Sequence, residues 1–520
     1  MEELKEESEY VKNLLEDDAN TDVEEILKTA YDILVLQMTY REYKNILINI
    51  TKIYKDIEYT EKNIITYITI VDYFMLNKQE EIFNYIIEKY IIGENKYYEK
   101  LNMYNSIDYY IRKKLGTENE INSKTLEYII NINNEITELC SCLITQETLN
   151  KCKLLVKLNI SNNKNIKDVN HLDKLEILNI SGSDCGVNQE GIKNLKLVKN
   201  LNISNNENIT NVNHLSKLEE LDISYNCGID QEGIKELKLV KNLNASCNTK
   251  IKDVNHLEIL EELNILWYCG VDQKGIKDLK LVKKLNAGAN DKITNVNYLD
   301  KLEELNISYD CGVNQEGIKN LKLVKNLNAC NNDKIYDVNH LDKLTELNIS
   351  WDCRVNQNGI KYLKLVKNLD ASCNDKIKNV NHLDKLEKLN ISLGCGVDQE
   401  GISNLKLITH LYACNNCKIK NVNHLKKLEE LDISGHSCEV NQKGIKDLKL
   451  VKNLNVCNNY RIKHVNHLDK LEVLDISGNT CGVNQKGIKD LKLVKNLNAC
   501  NNIKIKNANS FIKNKKIKIS

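Results

Sequence analysis

The chain of 520 residues contains no proline, where ordinary usage of about 5% would supply about 26. Its turns must therefore be held by something other than a ring-locked φ. Asn, Lys, Ile and Tyr are abundant instead, a bias that reads as AT-rich coding. An excess of charge of either sign is also missing, since 73 Lys and Arg stand against 73 Asp and Glu. No global field steers such a chain to nucleic acid or to a membrane surface. No run of 18 apolar residues occurs, so no membrane-spanning helix is expected. The opening MEELKEESEYVKNLLEDD lacks the apolar stretch of a signal peptide. A cytoplasmic or nuclear location is expected, with the 18 cysteines as reduced thiols.

The chemistry-bearing motifs are sparse too. No histidine precedes His171, so no Cys–His or Ser–His pair can form in the N-terminal part. No Gly-x-x-x-x-Gly-Lys-Ser/Thr phosphate loop is present. Neither an enzyme nor a cofactor is expected.

What the chain has is repetition. From about 136 to 505 it repeats every 42 or 43 residues, and each copy holds two shorter units with a Leu-x-x-Leu-x-Ile core. First units are anchored at leucines such as Leu201, Leu243, Leu285, Leu327 and Leu369. Second units are anchored at Leu221, Leu263, Leu305, Leu347 and Leu389. The period-2 rule turns each anchor and the residue two positions on (Ile203, Ala245, Ile223, Ile265) inward on a short strand. Five residues after every first-unit anchor stands an asparagine, from Asn163 and Asn206 to Asn459 and Asn502. A buried amide there would satisfy backbone groups as the chain leaves the strand. A cysteine follows each second-unit anchor, as at Cys227, Cys269, Cys311 and Cys353. Equivalent thiols recur two strands apart, about 9.6 Å, too far for a disulfide. The same spacing keeps the histidines of the Val-Asn-His-Leu turns (His171, His214, His256, His340) from sharing a zinc ion.

This pattern resembles the leucine-rich repeat family over about 370 residues. First units such as LNISNNENITNVNHLSKL are similar to the short type of bacterial internalins. Second units such as LDISYNCGIDQEGIKELKLV are similar to the cysteine-containing type, with a short helix from Gln-Glu-Gly-Ile onward. The resemblance implies an α/β solenoid of about 17–18 units. It would be a curved horseshoe with a parallel sheet on its concave side, used to bind another protein.

Which surface binds is expected from the rows that vary. The concave face is assigned to positions one before, one after and three after the anchor. One before it, second units carry Glu220, Glu262, Glu304 and Glu346. This acidic stripe has two open readings, a solvated face and a surface for a basic partner. Four residues after the second-unit anchor the row runs Gly182, Tyr225, Trp267, Tyr309, Trp351, Leu393, Gly435, Gly478, with Tyr268 following Trp267. Both tryptophans of the chain lie here. Exposed aromatics are common interface anchors, so Tyr225, Trp267, Tyr268, Tyr309 and Trp351 are the expected recognition centre. The bland alternative is that the rings only cap the strand edge. An acidic stripe beside them argues against nucleic acid.

Before the repeat, residues 1–22 are acidic and expected to be solvated. Residues 23–115 have helical apolar spacing, as in Ile64, Ile65, Ile68, Val71 and Met75, and predict an all-helical domain. A linker or helical cap is placed at 116–135. Tyr43 to Leu47, Ile64 to Tyr73 and Glu81 to Tyr90 resemble the C-terminal half of BTB/POZ and Skp-type folds. That resemblance implies docking to a cullin-type ubiquitin ligase; a plain helical cap is the other reading. The basic 506–520 segment is expected to be a cap or a solvated tail.

Overall fold

The computed structural model describes residues 137–140 and 144–506, together with the backbone of 516–518. The expected segments 1–22, 23–115 and 116–135, and with them the BTB/POZ- or Skp-type resemblance and the ligase docking it implies, lie outside the described residues. The chain divides into two units, Met1–Val198 and Lys199–Ser520.

In the first unit, β1 (Glu138–Cys140), β2 (Lys157–Asn159) and β3 (Ile177–Asn179) pair in parallel, with Leu139, Leu158 and Leu178 in one register row. In the second unit the ladder runs from β4 (Asn200–Asn202) and β5 (Glu220–Asp222) to β18 (Asn496–Asn498). Anchor faces anchor throughout, as in Leu221↔Leu243, Leu327↔Leu347 and Leu474↔Leu497. Strands of three residues pay little entropy each and gain a leucine at the core, so the one-residue alternation sets the register. The anchors and the residues two positions on, among them Ile223, Ala245 and Ile265, are buried.

Each first-unit asparagine is buried as well, and in the central units its Nδ2 serves two carbonyls. Asn332 Nδ2 donates to Ile307 O (2.7 Å) and Val313 O (3.3 Å), while its Oδ1 accepts from Lys334 N (2.9 Å). Asn248, Asn290 and Asn374 repeat the arrangement.

The turns opposite the strands solve the absence of proline with amides. Most second units place one turn of 3₁₀-helix there, such as Gln357–Ile360, and Gln315–Ile318 forms a single α-turn. Gln315 Nε2 donates to Asp337 O (2.7 Å), and its Oε1 accepts from Tyr336 N (3.0 Å) and Asp337 N (2.9 Å). Asn297 spans the same gap to Glu316 O (2.6 Å) and Asn320 N (2.8 Å). His340 Nε2 donates to Ile318 O (2.9 Å), and His256, His382, His424 and His467 make the matching bond. The histidine row is thus turn scaffolding.

One expectation is corrected. The residue three after the anchor is not a regular concave-face position: Ser224, Ser308 and Ser350 are buried, while Ser204, Leu266 and Ser477 are half-buried. The strand is already turning there, and Ser224 donates through both N (3.0 Å) and Oγ (2.6 Å) to Asp222 Oδ1. The polar residue one after the anchor is therefore a strand terminator. Part of the basic C-terminal stretch, expected as a cap or a solvated tail, joins the sheet. Lys516–Lys518 forms β19, which pairs with β18 through Leu497↔Ile517. An open strand edge offers unpaired N–H and C=O groups, and a further strand satisfies them even without a leucine.

The second-unit cysteines are buried free thiols. Burial pushes Cys269, Cys311, Cys353 and Cys395 from 9.0 up to about 11. The folded chain therefore keeps protons that the unfolded chain releases from pH 9 upward. Stability from this source is complete below pH 9 and is lost as pH rises towards 11. Urea unfolding should show a midpoint at pH 10.5 well below that at pH 8. An unchanged midpoint would contradict the burial of the ladder.

Candidate functional site

The residue four after every anchor has the same backbone conformation. In first units it is Asn205 (φ 58°), Cys247 (59°), Ala289 (52°), Asn331 (55°), Cys373 (58°), Asn415 (53°) and Asn458 (55°). In second units it is Gly182 (100°), Tyr225 (59°), Trp267 (52°), Tyr309 (58°), Trp351 (60°), Leu393 (57°), Gly435 (90°) and Gly478 (88°). The left-handed region is imposed by the ladder. In the turns from Asn205 to Gly478 the N–H reaches the carbonyl three residues after the next anchor, as from Tyr225 N to Ser246 O (2.8 Å) and from Trp351 N to Ser372 O (2.8 Å).

Glycine and asparagine suit this conformation, whereas a bulky side chain crowds the following carbonyl at a cost of about 1–2 kcal/mol. Gly182, Gly435 and Gly478 follow that rule. The central second units break it in succession with Tyr, Trp, Tyr, Trp and Leu. At Trp267 the break is doubled, because Tyr268 also has a positive φ (42°), where the equivalent position downstream is Gly394 (78°). The strain brings only partial burial in return: the five rings are between 40% (Trp267) and 74% (Tyr268) exposed.

Trp267 stacks at a tilt on Tyr309 across one intervening strand, with ring centroids 5.5 Å apart, and lies 6.3 Å from Tyr268. The residue between the two larger rings is Ala289, small enough to let them meet. Cys247 and Cys373 occupy the same row on either side. Among the described residues Tyr225 and Trp351 make no ring contact, so they flank a central cluster of three. Together these side chains form a ledge along the edge where the chain leaves the strands.

The glutamates stand differently from the expected bare stripe. Lys284 Nζ lies 3.0 Å from Glu262 Oε1 and 3.6 Å from Glu304 Oε1. Glu220 accepts from Asn200 Nδ2 (2.8 Å), and Glu346 from Asn368 Nδ2 (3.1 Å). One position earlier, Lys241, Lys283 and Lys325 pair with Glu219, Glu261 and Glu303 at 2.6–2.7 Å. The strand face is a compensated ladder of cations, acids and amides.

One group on that face breaks the repetition and was not foreseen. Where the neighbouring first units carry Lys367-Asn368-Leu369-Asp370 and Lys452-Asn453-Leu454-Asn455, the unit at Leu411 reads Thr409-His410-Leu411-Tyr412. Tyr412 OH donates to Glu430 Oε1 (2.6 Å), His410 Nε2 lies 3.9 Å from Glu430 Oε2, and Thr409 Oγ1 is 2.8 Å from His410 Nδ1. The departure from the repeat was the signal. Among the described residues no group of three or more His, Cys, Asp and Glu could hold a metal ion.

A parallel ladder of one leucine per strand, a buried asparagine row and a 42-residue sequence period decide the architecture. The chain folds as a leucine-rich-repeat solenoid. No family model and no curated protein matches its sequence. Among solved structures it is similar to the functional domain of InlJ from Listeria monocytogenes, described as including a cysteine ladder. That likeness has 17% identity, covers 72% of this chain and 75% of that one, and gives a TM-score of 0.39. The internalin InlF of the same organism shows 16% identity over 76% and 94% of the two chains, with a TM-score of 0.30. A leucine-rich-repeat protein of Leptospira interrogans shows 20% identity over 75% and 91%, with a TM-score of 0.30. The strand ladder and the repeat, not these likenesses, make the present chain a leucine-rich-repeat solenoid.

Proposed function

We propose that the solenoid is a non-enzymatic protein-interaction scaffold whose recognition centre is the ledge of Tyr225, Trp267, Tyr268, Tyr309 and Trp351. The observation that carries this reading is the strain. Four successive second units hold an exposed aromatic ring in a left-handed backbone position that Gly182 fills before them and, past Leu393, Gly435 and Gly478 fill after them. Strain with only partial packing gain, confined to one stretch of a regular array, is what a binding surface leaves behind. Tyr and Trp bury large area with little rotamer entropy, which suits them as anchors. The strand face, where Lys284 offsets Glu262 and Glu304, is the lesser candidate. The unpaired thiol rows fit a reducing compartment, cytoplasmic or nuclear.

The test replaces Tyr225, Trp267, Tyr309 and Trp351 together with glycine in the full chain and compares the proteins retained from cell lysate with those of the parent. Loss of the retained partners is the expected result. An identical set on both chains would place the contact elsewhere.

A further inference from the structure

The ledge has a centre that the repeat does not dictate. Three residues after the anchor, every second unit carries serine except at Leu266, and every first unit carries serine or cysteine except at Gly288. The two exceptions follow the paired strands β7 (Glu262–Asn264) and β8 (Lys284–Asn286). They fit each other: a Cβ on Gly288 would stand 2.8 Å from Leu266 Cδ1, so only glycine leaves the leucine its place. One position on, Trp267 stands beside Ala289, the smallest side chain of its row. Tyr268 fills a position that neighbouring second units give to Asn226, Asp310 and Asp352. Leu266, Tyr268, Gly288 and Ala289 thus depart from the repeat together, around one tryptophan. The exchange forfeits a hydrogen bond. Ser224 and Ser350 donate through Oγ to Asp222 and Asn348 (2.6 Å each), whereas Leu266 reaches Asn264 Oδ1 through its N–H alone (3.2 Å). Leu266 nevertheless stays half-buried and does not join the core. Charge does not single out this place, because the flanking turns set Asp291 beside Lys292 and Asp333 beside Lys334.

We infer that Leu266, seated on Gly288, is the specificity-determining residue of the ledge, and that it selects an uncharged apolar side chain of a partner protein, set against the island of Leu266, Trp267, Tyr268 and Tyr309. The inference rests on the ledge being the recognition centre. A contiguous exposed apolar patch marks an interaction site, and the cores of protein interfaces are apolar and poor in charge. Ring faces alone would also suit a cation. The methyl groups of Leu266 add nothing for a cation and add contact area for an apolar side chain. Balanced charge in the flanking turns gives neither sign an advantage.

The test selects a random-peptide display library on the full chain. Enriched peptides are synthesised and titrated by calorimetry against the parent, against Leu266→Ser with Gly288→Ser, and against the chain with glycine at 225, 267, 309 and 351. The serine chain restores the residues of the repeat and keeps all five rings, so it should unfold at the parent's temperature. The enriched peptides are expected to share an apolar residue with uncharged neighbours, and their affinity to change less than about twofold with salt. They should bind the serine chain about tenfold more weakly, the equivalent of 1.4 kcal/mol, and the glycine chain not at all. Equal affinity for the parent and the serine chain with binding lost on the glycine chain, or a charged residue at the shared position, would overturn the inference and leave the ledge as the binding site. A lower unfolding temperature of the serine chain would make Leu266 a packing residue and overturn it as well. So would a parent that sediments as a dimer beside a monomeric serine chain, which would assign the island to a second copy. Equal affinity on all three chains, or no enriched peptide, would overturn the ledge reading itself.

Discussion

Asn332→Ala is expected to destabilise the repeat by about 3 kcal/mol, although it removes only a few atoms. The amide is buried and serves three backbone groups: the carbonyls of Ile307 and Val313 and the N–H of Lys334. Alanine leaves these groups without that partner and out of reach of water, at about 1–3 kcal/mol for each one truly orphaned. In a solenoid each unit contacts only its neighbours. The loss should therefore appear first as faster amide exchange in the two flanking units, with a lower urea midpoint for the chain. A change under about 1 kcal/mol, or exchange raised evenly along the chain, would mean that the asparagine row does not hold the strand exits.

The second large effect has the opposite relation between stability and binding. Removing a buried aromatic normally costs about 3–5 kcal/mol. Replacing Tyr225, Trp267, Tyr309 and Trp351 with glycine should cost nothing of the kind. Each substitution releases about 1–2 kcal/mol of left-handed strain, against the ~0.5–1 kcal/mol that glycine's flexibility favours the unfolded chain and the modest burial of a half-exposed ring. The four together should leave thermal unfolding unchanged or shifted upward. Partner affinity should fall at least about 100-fold, as expected when several interface anchors worth about 2 kcal/mol each are removed. A loss of several kcal/mol in stability would show that the rings are packing groups, and the ledge would then be a rim cap. The single change Trp351→Asn adds a control, since Asn331 and Asn415 hold the same backbone angle in neighbouring units.

How much of this was legible in the sequence depends on what kind of feature repeats. Anchors such as Leu327 and amides such as Asn332 recur in side-chain identity, so period alone locates them and burial follows. The ledge was visible as the row that varies. Its strain was not, because φ belongs to the backbone; yet Gly182, Gly435, Gly478 and Asn205, Asn331, Asn415 at equivalent positions were the mark of a left-handed turn. The pairing of Lys284 with Glu262 and Glu304 was hidden because its partners lie about twenty residues apart in the chain and one strand apart in space. The same is true of the clamps made by Gln315 and Asn297. Ser224 was misplaced by extending strand alternation past the three residues over which it holds. Strand β19 escaped because nothing in Lys516–Lys518 repeats the leucine pattern, and only the open edge of β18 explains it. The Thr409, His410, Tyr412 and Glu430 group escaped because its members lie about twenty residues apart in the chain and meet only across adjacent strands.

The measurement that tests the central claim most directly is hydroxyl-radical footprinting of the full chain, free and with a retained partner bound. Aromatic side chains on both surfaces report in one experiment. Trp267, Tyr268, Tyr309 and Trp351 read the ledge, and Tyr412 reads the strand face. The account predicts strong oxidation of the four ledge residues in the free chain, protection of them in the complex, and unchanged labelling of Tyr412. Protection of Tyr412 with the ledge still fully labelled would contradict it and move recognition to the strand face.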